Sequence, residues 1–254
     1  MNSLAVRLLA LNVPEGKLAV CFAGQAGVII KTPAGELLGV DLYLSDCCNR
    51  FYGQKRLMPK LLEPGEIEFD FVVSTHAHYD HFDPDSMPIL LAPQKTRFLG
   101  ALDCMDECKK LGIPNEKCTW LEEGKSVRAG SMNIIAMPCD HGPHTPHAVG
   151  LCIEYSGKKV SVAGDTCFRE DIAAEHGALC PDMMFAPING AYGNLNEEEA
   201  AKFFSIAKPK LAVPCHYWNF AEHHGDPGKF KDEMITKYPT QPFMFMAMGE
   251  IVLI

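Results

Sequence analysis

The stretch STHAHYDHFDP, residues 74–84, places three histidines and one aspartate within six consecutive positions. The run FDFVVST that leads into it is apolar and rich in branched residues, so we expect a buried strand there. A loop that follows a rigid strand can hold ligand side chains in fixed positions. His76 and His78, two apart in extended chain, point to the same side and can bind one metal ion. Asp80 and His81 then face a second centre nearby.

Two metal ions need more ligands than these four side chains, and three later segments supply candidates. AMPCDHGPHTPH contains His141, His144 and His147 just after a predicted strand, VAGDT places Asp165 at another strand end, and AVPCHYW places His216 at a third. His141 follows its strand most directly, so we take it as the third ligand of the first metal, with His144 as the alternative. The carboxylate of Asp165 is suited to bridge both metals.

The residue types indicate which metals this site would bind. Neutral imidazoles combined with carboxylates suit zinc, manganese or iron, and the absence of cysteine ligands argues against a closed structural zinc site. A single histidine is more often a hydrogen-bonded core residue than a ligand. That interpretation does not explain a set in which five of the seven best ligand positions hold one of the ten histidines. We therefore predict two divalent ions, zinc or manganese.

Composition narrows the classes of protein that the chain can belong to. Its 254 residues are 47% hydrophobic and 22% charged, which is typical of a globular protein with a core. A formal charge of −9 disfavours nucleic-acid binding, and we expect a small-molecule substrate instead. The amino-terminal apolar run is too short for a membrane span and is a poor secretory signal. Eleven cysteines without a CxxC spacing indicate reduced thiols, so we expect a cytoplasmic protein without a membrane partner.

Short apolar runs alternate with helical patterns along the whole chain. The predicted strands include KLAVCFA, AGVIIKT, ELLGVDLYL, SMNIIAMP, AVGLCIEY, KKVSVAG, MMFAPI, KLAVPC, PFMFMAM and EIVLI. GALDCMDECKKLG, NLNEEEAAKFFSIAK and DPGKFKDEMITKY have the periodicity and the end signals of helices. No linker or repeat interrupts this order, so we predict one α/β domain spanning residues 1–254, and the sequence allows a homo-oligomer.

The motifs HAHYDH, PCDH, AGDT and VPCH together resemble those of the metallo-β-lactamase fold superfamily. The hairpin segment CFAGQAGVIIKTPAGELLGVDLYLSD and the closing segments FAPINGAYGNLNEEEAAKFF and VPCHYWNFAEHHGDP are similar to the UlaG-like group of L-ascorbate-6-phosphate lactonases and their relatives. The resemblance implies a four-layer αβ/βα sandwich with the metals at one edge of two sheets. The ligand sets that it implies are His76, His78 and His141 for one metal, Asp80, His81 and His216 for the other, and Asp165 as the bridge.

This site predicts a hydrolase. A hydroxide held between two divalent ions is a strong nucleophile at neutral pH and would attack an ester-type carbonyl, while Asp80 orients it and passes its proton to the leaving oxygen. We therefore expect a lactonase or esterase acting on a small lactone or ester, phosphorylated or not. The alternatives are a phosphodiesterase with two metals, a thiolester hydrolase, and a metal-binding module without turnover.

The sequence says less about substrate recognition. Arg50 begins a local basic cluster before the metal loop that would hold a phosphate or carboxylate of the substrate, or would simply lie in a solvated loop. Asn189 and Tyr192 belong to a glycine-bracketed loop after a predicted strand, from which either could reach the pocket. His144 is a further candidate for the pocket lining.

Overall fold

The computed structural model describes residues 3–254, and two β-sheets lie at its centre. Within these residues the strands are β1 (Ala19–Gly24), β2 (Gly27–Lys31), β3 (Leu37–Val40), β4 (Phe71–Ser74), β5 (Arg97–Ala101), β6 (Cys118–Leu121), β7 (Ser126–Ala129), β8 (Met132–Met137), β9 (Gly150–Tyr155), β10 (Lys158–Val162), β11 (Met183–Pro187), β12 (Ala212–Cys215) and β13 (Ile251–Leu253). The first sheet has the order β13-β1-β2-β3-β4-β5-β6, and the second has the order β12-β11-β10-β9-β8-β7.

Seven α-helices lie in the described residues, and all but the second pack on the outer faces of the sheets. They are α1 (Leu4–Ala10), α2 (Cys47–Tyr52), α3 (Met87–Leu90), α4 (Met105–Lys110), α5 (Glu170–Ala178), α6 (Glu197–Ala207) and α7 (Pro227–Lys237). The α6 helix begins with a capping box, in which the Asn196 side chain accepts from the Glu199 amide and the Glu199 carboxylate accepts from the Asn196 amide. The two capping hydrogen bonds and the full burial of Phe203 and Phe204 both stabilise α6.

Three apolar layers result from this arrangement. The central layer lies between the sheets and joins β-branched residues of the first sheet, such as Val28 and Val73, to Leu151 and Phe185 of the second. One outer layer packs the first sheet against α1, α3 and α4, and the other packs the second sheet against α5, α6 and α7. The architecture is therefore the predicted α/β four-layer αβ/βα sandwich.

Strand direction brings many loops to one edge of the sheets. Strands β3 to β6 are mutually parallel, as are β10 to β12. Strand β8 is antiparallel to β9, which is antiparallel to β10, so β8 and β10 run the same way. The loops that follow β3, β4, β8, β10, β11 and β12 all leave at carboxyl ends, and parallel strands of one sheet place those ends at one edge.

The strand predictions are confirmed for all the quoted runs except one. PFMFMAM forms no strand, although Met244 donates its amide to the Ala212 carbonyl and Phe243 makes an isolated bridge to Ala212. Pro242 has no amide hydrogen, so this segment cannot continue a regular ladder along β12. The predicted helix in GALDCMDECKKLG begins later than expected, because Gly100 and Ala101 end β5. Strands β5, β6 and β7 were not predicted; β6 and β7 have four residues each and are mostly not buried, whereas four of the five residues of β5 are buried.

Two further features concern the whole described chain. Between residues 3 and 254, no helix is both long enough and apolar enough to cross a lipid bilayer. All eleven cysteines are free thiols, and only Cys180 is exposed.

The close packing of α5 on α6 generates a stability prediction. A Cβ atom added to Gly177 in α5 would lie 2.6 Å from the Ala207 carbonyl oxygen at the end of α6. Replacing a helical glycine with alanine normally stabilises by about 1 kcal/mol, but overpacking of this kind costs about 1–3 kcal/mol. We expect Gly177→Ala to lower Tm by about 2–6 °C in a thermal unfolding experiment.

The control is Glu175→Ala, because Glu175 is exposed on the same helix. It should leave Tm nearly unchanged. An increase in Tm for Gly177→Ala would contradict the close approach of these two helices.

Candidate metal centre

The seven predicted ligand side chains converge at one edge of the sandwich. They come from the loops after four strands that are far apart in sequence: β4, β8, β10 and β12. We call this set the histidine–aspartate centre; its members are His76, His78, Asp80, His81, His141, Asp165 and His216. Most of it is withdrawn from solvent, since His76 and His81 are fully buried and His216 is 1% exposed.

The first group in this centre consists of His76, His78 and His141. The His78 Nδ1 atom lies 3.0 Å from His76 Nε2 and 3.0 Å from His141 Nε2. One ligand atom from each ring lies within 4.8 Å of the other two, which is close enough for all three to bind a single ion. His144, the alternative to His141, is exposed and does not join this group.

The second group places Asp80, His81 and His216 around a common point. The His216 Nε2 atom lies 3.2 Å from His81 Nε2 and 3.1 Å from Asp80 Oδ2, and the His81 Nε2 atom lies 3.4 Å from Asp80 Oδ2. These contacts correspond to the ligand set that the resemblance implied for the second metal.

Asp165 lies between the two groups. Its Oδ2 atom is 3.3 Å from His216 Nε2 and 3.7 Å from His141 Nε2, and its Oδ1 atom is 3.5 Å from His81 Nε2. The same carboxylate accepts a hydrogen bond of 2.7 Å from the Asn194 side-chain amide, which fixes its orientation. Asp165 therefore occupies the position that a bridging ligand requires.

The electrostatics of the centre suit a cation. Burial lowers the pKa of His141 to about 4 and also lowers the pKa values of His76 and His78, so these rings are neutral at pH 7 and their lone pairs are free for a metal. Burial opposes the ionisation of Asp80 and Asp165, but the neighbouring His81 and His216 hold both carboxyl pKa values well below their usual range. The centre thus combines neutral nitrogen donors with ionised oxygen donors, which suit a divalent cation.

Three carboxylates around His81 favour a positive charge at this ring. Burial would lower its pKa, but the carboxylates of Asp165, Asp80 and Asp41 raise it well above the usual value for histidine. Metal ligands must be deprotonated, so a divalent cation bound here would compete with the proton on this ring.

Asp41 is a supporting residue whose role the sequence analysis did not assign. It lies directly after β3, with a left-handed φ of 47°. Its Oδ2 atom is 2.9 Å from His81 Nδ1, and it accepts from the amide and the hydroxyl of Thr75. A carboxylate on the outer nitrogen fixes the tautomer of a histidine and directs the other nitrogen at the metal.

Gln25 and His223 also belong to the site, and the sequence analysis did not predict them. The Gln25 Nε2 atom lies 2.8 Å from Asp80 Oδ2 and 3.1 Å from His216 Nε2. The His223 ring stacks on His216 at 4.9 Å, and one of its nitrogens groups with Asp80 and His216. The available signals were the hairpin position of Gln25 between glycines and the His223–His224 pair shortly after His216, both too common to be specific.

A cavity of about 330 Å³ opens onto the centre. Of the four candidate substrate-binding residues, Tyr192 lines this cavity, and Arg50, His144 and Asn189 do not. Arg50 pairs with Asp85 and lies over the Phe51 ring instead of lining the cavity. Asn189 is buried and accepts from Asn194, so it supports the loop after β11.

Comparison with known proteins identifies the family. The profile of the Beta-lactamase superfamily domain matches residues 42–217. A UPF0173 metal-dependent hydrolase of Polynucleobacter asymbioticus is 25% identical over 225 residues, which cover 80% of this chain and 75% of that protein. An uncharacterized protein of Mycobacterium tuberculosis is 25% identical over 239 residues, which cover 85% of this chain but only 63% of the relative's length.

Solved structures have the same fold. Igni18, a metallo hydrolase from Ignicoccus hospitalis, superimposes with a TM-score of 0.74 at 23% identity, covering 94% of this chain and 98% of that one. An isothiocyanate hydrolase from Delia radicum gut bacteria superimposes with a TM-score of 0.69 at 15% identity, covering 92% and 98%. Since the family profile spans most of the chain, this protein belongs to the metallo-β-lactamase superfamily.

Proposed function

We propose that this protein is a metal-dependent hydrolase that opens small lactones or esters. The observation that supports it most strongly is the convergence of five imidazoles and two carboxylates into two adjacent groups with Asp165 between them. The printed names of the UPF0173 relatives and of Igni18 agree with a hydrolase. The resemblance to the UlaG-like group supports a lactone ring as the substrate.

The residues of the two groups would hold two divalent ions, zinc or manganese. Bound there, the ions would lower the pKa of a water molecule toward about 7 and polarise the carbonyl oxygen of the substrate. His76, His78 and His141 would hold one ion, and Asp80, His81 and His216 the other.

The remaining chemistry belongs to side chains of the chain itself. In the hydrolysis, the water oxygen bonds to the carbonyl carbon, the carbon–oxygen ester bond breaks, and one proton passes from the water to the leaving oxygen. Asp80 lines the cavity, and its carboxylate is positioned by the Gln25 amide, so it is placed to carry that proton. Burial of the centre at the sheet edge limits the access of bulk water.

A pair of histidine variants tests this function. His141→Ala should remove most of the metal from one site and reduce hydrolysis of lactones and esters by more than about 100-fold, because a ligand is lost. The measurements are elemental analysis of the purified protein and a hydrolysis screen with zinc or manganese added.

His144→Ala is the matched control, since His144 lies in the same loop but is exposed. It should retain the metal content and activity of the wild type. Full metal content in His141→Ala would contradict the proposed ligand set, and phosphodiester hydrolysis without lactone or ester hydrolysis would favour the phosphodiesterase alternative.

The support given by Asp41 leads to a separate prediction. Asn has nearly the same size and tolerates the left-handed backbone at this position, but it lacks the charge that orients His81. Asp41→Asn should therefore weaken metal affinity by about 10–100-fold, measured by competition with a chelator. Asp46→Asn, which removes an exposed carboxylate nearby, should leave the affinity unchanged; equal affinity in the two variants would refute the orienting role of Asp41.

A further inference from the structure

The cavity beside the histidine–aspartate centre has walls of a distinctive chemistry. Five of its lining residues belong to the centre, and the others are Tyr52, Gln54, Tyr79, Tyr192 and His223. Neither lysine nor arginine lines it, in the part of the chain from residue 3 onward. Its volume of about 330 Å³ is at the lower end of the range for small-molecule sites.

Three tyrosines, Tyr52, Tyr79 and Tyr192, form what we call the aromatic rim. Tyr52 is 57% exposed and Tyr192 is 62% exposed, although both are large aromatic side chains. The Tyr52 and Tyr79 rings lie 5.7 Å apart, and the Tyr192 ring contacts the His223 ring edge-on at 5.3 Å. Exposed aromatic surface that gathers at the mouth of a cavity is typical of a binding site.

Polar atoms of the rim are partly engaged by protein groups. The Tyr192 hydroxyl accepts from the Gln54 amide at 3.1 Å, and the Tyr79 hydroxyl donates to Glu107 at 3.3 Å. Tyr192 has a left-handed φ of 56°, and its loop is closed by a hydrogen bond from the Asn194 amide to the Ala191 carbonyl. Protein groups therefore already bind the hydroxyls of Tyr192 and Tyr79, and the apolar surface of the rim is left for a ligand.

The two arginines before the metal loop are engaged by other groups of the protein. Arg50 pairs with Asp85. Arg56 binds the carboxylate of Asp46 and the backbone carbonyls of Tyr43 and Ser45, and its side chain is only 10% exposed. These contacts leave neither arginine at the cavity, where a bidentate phosphate contact would need one.

We propose that the substrate carries an uncharged aromatic or apolar group, which packs on the aromatic rim while its ester or lactone bond faces the histidine–aspartate centre. This inference rests on the proposed function. It specifies an apolar substituent on the substrate, where the sequence left a phosphate open. Tyr52 and Tyr192 are then residues that determine specificity, and a phosphate on the substrate meets no lysine or arginine in the walls of the cavity.

Three lactones with one skeleton test the substrate class. They are γ-phenyl-γ-butyrolactone, unsubstituted γ-butyrolactone and a γ-butyrolactone whose γ-substituent is a hydroxymethyl phosphate ester. The measured quantity is kcat/KM, followed by the release of protons on hydrolysis. The phenyl compound should exceed the unsubstituted one by about tenfold, because stacking and apolar burial are gained. The phosphorylated compound should be no better than the unsubstituted one.

Variants assign the preference to the rim. Tyr192→Ala and Tyr52→Ala should each lower the ratio of kcat/KM for the phenyl lactone to kcat/KM for γ-butyrolactone by about three- to tenfold. Tyr192→Phe should keep the preference, since the ring remains. Arg50→Ala is the control and should leave all three values unchanged.

A preference for the phosphorylated lactone that is lost in Arg50→Ala would overturn the inference. If no lactone or ester is hydrolysed, the proposed function fails, and calorimetric binding of γ-phenyl-γ-butyrolactam to the purified protein then decides the inference separately. Binding that weakens in Tyr192→Ala supports the aromatic rim, and equal binding of the phenyl and the unsubstituted lactam refutes it.

Discussion

Mutual repulsion among buried lone pairs is the constraint on which the rest of this structure depends. Nitrogen atoms of His76, His78 and His141 point at one another at about 3 Å, and two carboxylates face the neighbouring rings at similar distances. Neutral rings can satisfy only part of this arrangement by hydrogen bonding, because each has one donor. Divalent cations bound there would satisfy the remaining lone pairs. The chemistry of the donors therefore explains why such polar groups are buried at the edge of an apolar sandwich.

Strand direction and supporting hydrogen bonds hold the ligand side chains in place. Each ligand follows the carboxyl end of a strand, so a rigid backbone determines where its side chain begins. The two sheets are also joined at the site itself, where the His216 amide donates to the Gln25 carbonyl and the Val149 amide donates to the Thr75 carbonyl. Asp41 and Asn194 then fix the orientation of one histidine and of the bridging carboxylate. A site assembled from distant segments is thereby held without a disulfide.

Much of this organisation could be predicted from the sequence, for identifiable reasons. The ligands follow strongly apolar runs, so their strands and their shared edge could be inferred together. Strands β6 and β7 are short and partly exposed, so they have no such pattern, and β5 was missed as well. His223 and Gln25 could not be assigned, because their roles come from ring stacking on His216 and from hairpin geometry that local sequence does not encode. Arg50 was a candidate for substrate contact by its charge, but the partner that engages it, Asp85, lies 35 positions away in sequence.

We propose that the centre binds its metal through nitrogen and oxygen atoms and that the aromatic rim selects an apolar substituent on the substrate. A cysteine thiol is the other group that could bind a metal here, because Cys139 lies beside Asp165 and donates to its backbone carbonyl. X-ray absorption spectroscopy of the metal-loaded protein distinguishes these donors. We expect a first shell of nitrogen and oxygen at about 2.0–2.2 Å with the outer-shell pattern of imidazole. A sulfur shell at about 2.3 Å would contradict it.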